Sequence, residues 1–375
     1  MKWIKKTGIS IVVCIWLCSI TGCGSGKTNL EDATVPLALG LDVEDQKLHY
    51  YVSAPVFSKD IQKKSREAEG LAEGLRSSRN QQDAQFPGSV GGRNFQVIVV
   101  GKELLKYKDW FKVLDVTFRD PRNTITDRII AVDGPVSDIF NFQSKDQPPI
   151  LMFLKAIVES GSKISTTVST TAQELHRQLY DRAMTPAISE IKIENKKIML
   201  KGTALLSRKA QYSTSLTYQE TSLLQILKKE AGPGISLTIP VDKLQQTVPY
   251  NIDKVSFTLG GTSVKIKSSH ENGKFRYKVK VKSNIAITEK FLEFELRDNF
   301  DDMEKKLSEG VKVAVEKLIE KFQQHEIDPV GFGFYARAYQ YPIYKEVQDN
   351  WGKELSRAQF DVEVNLRIAA TGAVE

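Results

Sequence analysis

Cysteine is scarce in this sequence and is confined to its beginning. The three cysteines are Cys14, Cys18 and Cys23, so no later residue carries a thiol. A disulfide needs two thiols, and a thiolate zinc site or a cysteine nucleophile needs at least one. All three are therefore excluded from the chain beyond Cys23, whose stability is expected to come from packing.

A hydrophobic run long enough to cross a bilayer is also missing at the start of the chain. The apolar stretch that begins at Gly8 spans about fifteen residues, short of the roughly 20 that a transmembrane helix needs. It follows Lys2, Lys5 and Lys6 and ends in small residues, an order typical of a signal peptide. Residues 1–22 are therefore predicted to be a lipoprotein signal peptide, with an uncleaved membrane anchor as the alternative.

The end of this segment indicates a lipid modification. Ile20-Thr21-Gly22-Cys23 resembles a bacterial lipobox, which predicts cleavage between Gly22 and Cys23. The Cys23 thiol would then carry a diacylglyceryl group (S-diacylglyceryl cysteine), and its amine an acyl chain such as palmitate (N-acyl cysteine). Residues 23–33 are mostly small and polar and are interpreted as a lipid tether. Apart from this covalent lipid, neither a cofactor nor a metal is predicted.

The chain has only a small excess of one charge. Removal of residues 1–22 takes away three lysines and no acid, so the formal net charge falls from +7 to +4. Such a surplus is too small for a nucleic-acid-binding surface, so nucleic acid is not expected among the partners. A position close to anionic lipid would suit this small positive charge, although a solubilising surface is the simpler interpretation.

The two apparent nucleotide-binding motifs in the sequence are incomplete or misplaced. Residues 24–28 look like the end of a phosphate-binding loop, but Thr21 stands where that motif needs its first glycine. Residues 331–336 resemble a degenerate dinucleotide fingerprint, but they follow a proline and a predicted helix rather than a strand. Both matches are therefore interpreted as turns or linkers.

Motifs for catalysis are missing as well. The four histidines lie far apart and have no second histidine three or four residues away; they are His49, His176, His270 and His325. There is no G-x-S-x-G elbow. A pair of carboxylates that the fold brings together for glycoside hydrolysis remains an alternative, because the sequence does not show which residues meet in space. Without a positive sign of catalysis, the chain is predicted not to be an enzyme.

Hydrophobic periodicity predicts an α+β fold of several domains, with mostly antiparallel sheets and flanking helices. Strands are predicted at 34–41, 47–57, 95–100, 111–118, 128–133 and 360–368, with hairpins at 191–200 and 264–281. Helices are predicted at 150–160, 171–184, 219–230 and 300–325, and residues 58–82 have helical composition. The predicted domains are 34–190 and 191–375, the second with a further division near 240–250.

Two groups of residues in the second half of the chain could form functional surfaces. Lysines alternate with apolar residues from 274 to 282, where they are interpreted as the solvated face of a sheet. An aromatic set could bind a partner or simply pack in the core; its members are Phe332, Phe334, Tyr335, Tyr339, Tyr341, Tyr344 and Trp351, with Arg337 and Lys345 among them.

Several stretches, in order, resemble the Ger(x)C lipoprotein family, the C subunits of the nutrient germinant receptors of spore-forming Firmicutes. They are residues 37–42, 95–104, 115–122, 202–206, 220–227, and 331–333 through Trp351 to Ile368. The resemblance covers nearly the whole chain after Cys23. One departure is Gly24-Ser25, where many members have a segment like Trp-Asp after the cysteine.

The resemblance implies a three-domain α+β fold and a location on the outer face of the spore inner membrane. It also implies a complex with two integral membrane subunits, A and B. In this family, nutrient recognition is assigned chiefly to those two subunits. The C subunit is needed for receptor function and has no known catalytic site. The hypothesis is thus a lipid-anchored, non-catalytic receptor subunit needed for the germination response to nutrients.

Two other functions are weighed against this hypothesis. A lipid-anchored solute-binding protein of a transporter would need two α/β lobes, and the hairpins of the second half argue against them. An envelope hydrolase that cuts peptidoglycan would need an active site, for which the sequence offers no motif.

Overall fold

The structure is a computed structural model. It describes residues 33–56, 65–86, 89–90, 95–120, 123–142, 148–240, 254–290 and 300–370. Within these ranges the chain forms two large sheets with helices packed on them, which confirms the predicted α+β class. Ala33–Thr34 (β1) adds a short parallel pair with Ser89–Val90 (β5).

The first sheet has eight strands in the described part of the chain, in the order β10-β9-β8-β7-β6-β2-β3-β4. Their bounds are Ala38–Glu44 (β2), Lys47–Pro55 (β3), Ser65–Leu71 (β4), Val97–Gly101 (β6), Arg128–Val132 (β7), Ala187–Glu194 (β8), Lys197–Leu206 (β9) and Tyr212–Leu216 (β10). The central strands β2, β6, β7 and β8 run parallel, and the outer pairs are antiparallel. Every residue of β6 is buried, as expected for a strand covered on both faces.

Helices and 3-10 turns cover both faces of this sheet. Val136–Phe140 (α3) and Ile150–Lys163 (α4) pack on one face. The other face is covered by further short elements: Arg79–Asp83 (α1), the 3-10 turns Leu104–Lys106 and Trp110–Leu114, Asp115–Arg119 (α2) and Ala172–Tyr180 (α5).

The second sheet has the described order β11-β12-β13-β14. Its strands are Ser236–Pro240 (β11), Lys254–Glu271 (β12), Lys274–Lys290 (β13) and Gln359–Ala370 (β14). The predicted turn at Asn272-Gly273 joins β12 to β13, and both residues have positive φ, as a tight hairpin requires. β14 returns parallel to β13.

Among the residues that the structure describes, helices cover only the inner face of the second sheet. They are Tyr218–Lys228 (α6), Phe300–Gln324 (α7), Phe332–Tyr339 (α8), Tyr341–Val347 (α9) and Trp351–Ser356 (α10). The apolar stripe of α7, which includes Leu307, Val311 and Leu318, joins this core. A capping box between Thr217 and Glu220 fixes the start of α6.

The two sheets share side chains in one core. Ala187 of β8, Leu205 of β9 and Leu216 of β10 pack in the same cluster as the second sheet and its helices. The predicted boundary between residues 190 and 191 falls inside β8, and the first sheet continues to Leu216. The first sheet therefore takes strands from both sides of that boundary.

Two secondary-structure predictions are wrong. Residues 65–71, within the segment of helical composition, form strand β4, because pairing with β3 overrides a polar sequence. Residues 111–118, predicted as a strand, form a 3-10 turn that leads into α2. The buried side chains there, Trp110, Phe111 and Leu114, have helical rather than alternating spacing.

A buried carboxyl group before β7 predicts an unusual pH dependence. Asp127 is almost inaccessible and accepts a hydrogen bond of 2.6 Å from the Thr124 hydroxyl. Burial raises the pKa of Asp127 to about 6, above the unfolded value near 4, although the Thr124 bond opposes this shift. Its contribution to the free energy of unfolding is therefore fully present below about pH 4 and is lost as the pH rises through about 6.

We expect Asp127→Asn to be more stable than the wild type at about pH 7, by up to about 3 kcal/mol, and similar to it near pH 4. The asparagine removes the buried charge and keeps an oxygen that accepts from Thr124. Urea unfolding across this pH range measures the difference, with the exposed Asp301→Asn as control. A constant difference at all pH values would contradict the expectation.

Candidate functional site

The predicted cleavage and lipidation site, Gly22 and Cys23, lies outside the described residues. The described chain begins with β1 at Ala33, the last residue of the predicted tether. Among the described residues, no helix is both long and apolar enough to span a membrane.

The aromatic segment in the C-terminal part divides between core and surface. Phe332, Tyr344 and Trp351 are buried among the rings of Phe275, Tyr277 and Phe360 on the second sheet. Phe334 and Tyr335 are partly buried and pack against the same core. Tyr339 and Tyr341 remain exposed, at 70% and 54%. Packing therefore accounts for most of the set, and these two side chains are left on the surface.

A fully buried carboxylate organises this segment. Asp328 Oδ1 accepts hydrogen bonds from the backbone N–H groups of Gly331 and Phe332, at 2.8 and 3.0 Å. Its Oδ2 accepts from Gly333 N and from the indole Nε1 of Trp351, both at 2.8 Å. Burial raises the pKa of Asp328, against these four donors, which lower it. The carboxylate lies at the start of α8, where its negative charge complements the positive end of the helix dipole.

The two glycines of the apparent dinucleotide fingerprint have structural roles here. Gly331 has φ +85°, a left-handed conformation that a side chain would strain. A Cβ on Gly333 would come within 2.6 Å of the Ala183 carbonyl oxygen and 2.8 Å of Trp351 Nε1. Glycine at these positions thus allows the turn and the close packing, with no nucleotide required.

The same segment is linked to the first half of the chain. The backbone N–H of Thr185 donates to the Asp328 carbonyl at 2.8 Å, and Asp328 N donates to the Thr185 hydroxyl at 2.9 Å. On the surface, Arg337 pairs with Asp181 at 3.0 Å. Asp328 therefore holds both the start of α8 and the junction between the halves.

A second polar cluster lies near one edge of the first sheet. Glu190 of β8 is only 1% exposed and accepts from the Ser215 hydroxyl at 2.5 Å. Lys201 donates to Glu190 at 3.2 Å and to Asp133 at 2.7 Å. Lys102, which follows β6, also donates to Asp133 at 2.7 Å and lies over the Tyr212 ring. Two lysines and two carboxylates thus balance one another.

The pKa shifts in this cluster favour permanent ionisation. Hydrogen bonds from Lys102 and Lys201 lower the pKa of Asp133. Burial alone would lower the pKa of Lys201, but its bond to Asp133 and the charge of Glu190 outweigh burial and raise it. The bond to Asp133 likewise raises the pKa of Lys102. Because these shifts hold Asp133, Lys201 and Lys102 in their charged forms at neutral pH, the cluster is built as a structural ion network rather than as a proton-transfer site.

The histidines do not come together. His176 stacks on Tyr180 in α5, and His270 meets the edge of Phe275 on the second sheet. His49 is in β3, and His325 follows α7. Within the described ranges, no group of three or more potential ligands is placed to hold a metal ion.

Sequence reasoning missed both polar clusters. Asp328 and Glu190 carry no motif, and their partners come from 3 to 143 residues away along the chain. One signal was available: Asp328 stands three residues before Gly331, and an acidic residue near the start of a helix is favoured by the helix dipole.

Comparisons with known proteins match the chain in two consecutive parts. Residues 26–193 match the family model described as "Spore germination protein N-terminal domain". Residues 201–372 match the model described as "Spore germination B3/ GerAC like, C-terminal". Between the two matches lies the turn that joins β8 to β9.

Individual proteins are similar over most of their length. Spore germination protein YndF of Bacillus subtilis (strain 168) is 21% identical, over 97% of this chain and 96% of its own. Spore germination protein B3 of the same organism is 23% identical, over 75% of this chain and 74% of its own. The crystal structure of the GerBC protein is similar in fold, with TM-score 0.56, 16% identity and coverage of 88% of this chain and 96% of that one.

Proposed function

Since the chain belongs to the Ger(x)C family of spore germination proteins, we propose that it is the lipid-anchored, non-catalytic C subunit of a nutrient germinant receptor. Its partners on this proposal are the integral membrane subunits A and B and the membrane lipid. Its place is the outer face of the spore inner membrane. The single observation that carries the proposal is the consecutive match of both family models, which together extend from residue 26 to residue 372.

The lipid anchor is supported by the order of the N-terminal sequence. A basic start, a short apolar stretch and Ile20-Thr21-Gly22-Cys23 precede a short polar segment and then β1 at Ala33. Fully extended, a tether of about ten residues reaches at most about 35 Å. The folded body would thus stay within reach of membrane-embedded partners.

A role without catalysis is supported by the state of the charged groups in the two polar clusters, around Asp328 and around Glu190. Asp328 is saturated by four N–H donors, and the carboxylates of Glu190 and Asp133 are held by lysines. A general acid or base needs a group that reaches substrate with a pKa near the working pH. These groups are engaged by the protein itself, so they serve the fold.

Crosslinking in spore membranes tests the proposed complex. We expect the wild-type chain, crosslinked in intact membranes and identified by mass spectrometry, to capture two integral membrane subunits. A spore lacking the chain is expected to lose the nutrient response and to keep the response to a receptor-independent trigger. Capture of transporter permeases instead would support the solute-binding alternative and contradict the proposal.

A further inference from the structure

The outer face of the second sheet concentrates positive charge in the half nearest the β12–β13 turn. Lys265 and Lys267 of β12 and Lys278, Lys280 and Lys282 of β13 lie side by side there, and we call these five residues the basic face. Their neighbours along each strand, such as Val264, Ile266 and Val279, are buried on the inner face. Within the described ranges, the helices pack on that inner face and leave the basic face open.

The arrangement of the lysines goes beyond what solubility requires. Lys265 lies directly opposite Lys280, and Lys267 directly opposite Lys278. Like charges in opposite positions on neighbouring strands destabilise a sheet, whereas alternating signs would solvate it equally well. The sequence interpretation, a solvated sheet face, therefore leaves this pairing unexplained.

Carboxylates neutralise only one side of the basic face. Glu363 of β14 pairs with Lys280 at 2.5 Å, and Asp361 pairs with Lys278 at 3.5 Å. Among the described residues, Lys265, Lys267 and Lys282 have no ion-pair partner. These three ammonium groups remain available to an external anionic surface.

We propose that the basic face binds the anionic headgroups of a phospholipid membrane and lays the second sheet against it. The cores of protein–protein interfaces are depleted in lysine and enriched in aromatic residues, and this face is rich in lysine with no aromatic ring on it. Clustered lysines near an anionic bilayer, by contrast, each strengthen binding roughly fivefold. The inference rests on the proposed membrane location, but its test does not depend on the lipid anchor.

The test uses the unlipidated mature chain, residues 23–375 with Cys23→Ala, and flotation with vesicles. The vesicles are phosphatidylcholine with or without phosphatidylglycerol. The face variant is Lys265→Gln, Lys267→Gln and Lys282→Gln. The control variant, Lys305→Gln, Lys317→Gln and Lys353→Gln, removes the same charge from exposed positions on α7 and α10, across the sheet from the basic face.

We expect binding to the anionic vesicles to fall about 100-fold in the face variant and by less than about threefold in the control. Binding should also weaken from about 0.05 M to about 0.5 M salt, and should be absent with phosphatidylcholine alone. Relief of the lysine repulsion should leave the Tm of the face variant unchanged or raised by about 2 °C, which separates lost binding from lost folding.

Three results would overturn the proposal. One is an equal loss of vesicle binding in the two variants, which would show that binding depends on net charge rather than on the basic face. Another is no binding to anionic vesicles. The third is equal binding to vesicles with and without phosphatidylglycerol, since the basic face would then not bind anionic headgroups. None of these results bears on Cys23, so the lipid anchor is judged separately.

Discussion

Spores that carry Cys23→Ala in place of the wild-type chain are expected to make a folded protein and to lose most of their nutrient response. A single acyl chain gives only a marginal association constant, around 10⁴ M⁻¹, whereas two or more make attachment lasting. A diacylglyceryl cysteine passes that threshold. Alanine has no thiol to modify, so the variant carries no lipid at this position.

The size of the effect follows from effective concentration. Tethering confines the folded body near its partners at a local concentration that can raise apparent affinity by about 100-fold or more. Without the tether, weak contacts with the membrane subunits should fail at the dilution of the surrounding compartment. We therefore expect the receptor to be largely unoccupied by this subunit.

Membrane fractionation and germination kinetics measure the outcome. The Cys23→Ala chain should leave the membrane fraction while circular dichroism and the unfolding midpoint of the purified chain stay unchanged. Ser25→Ala, two residues into the tether, is the matched control and should behave like the wild type. Normal germination of Cys23→Ala spores, or a wild-type chain whose mass shows an unmodified thiol, would contradict the proposed role of the lipid anchor.

Asp328→Ala is expected to lower the free energy of unfolding by about 4 kcal/mol. The substitution leaves three backbone N–H groups and the Trp351 indole N–H buried without an acceptor. Each unsatisfied buried donor costs about 1–3 kcal/mol, and partial relaxation reduces the sum. Both bonds to Thr185 use the backbone of residue 328, so the alanine variant keeps them.

Urea unfolding followed by tryptophan fluorescence and by circular dichroism tests this prediction. Asp328→Asn, which keeps one acceptor oxygen, should lose less than the alanine variant. Asp361→Ala removes an exposed carboxylate on β14 and should change stability by under about 0.5 kcal/mol. A loss below about 1 kcal/mol for Asp328→Ala would mean that the buried donors find other partners.

Much of the fold was predictable because its signals are local. The hairpin around Asn272-Gly273 follows from a turn sequence between alternating strands, and α7 from an apolar stripe at helical spacing. Of the candidate site, the sequence predicted only the lipidation of Cys23. That prediction rests on a lipobox-like motif of adjacent residues, which is complete in the sequence.

The errors arose where distant pairing decides the structure. Residues 65–71 look helical by composition, yet they form a strand because β3 offers an edge to pair with. The parallel return of β14 beside β13 depends on the whole α7–α10 segment between them. The aromatic set was ambiguous because the depth of each ring depends on packing across the sheet.

The sequence by itself determined the order of basic, apolar and lipobox-like segments at its start, the lack of thiols beyond Cys23 and the family to which the chain belongs. Only the tertiary structure revealed the buried acceptor at Asp328, the ion network around Glu190 and the unpartnered lysines on the second sheet. The physical reason is the range of the interactions. Motifs and turns are set by residues a few positions apart, whereas burial and charge pairing depend on which distant segments the fold brings into contact.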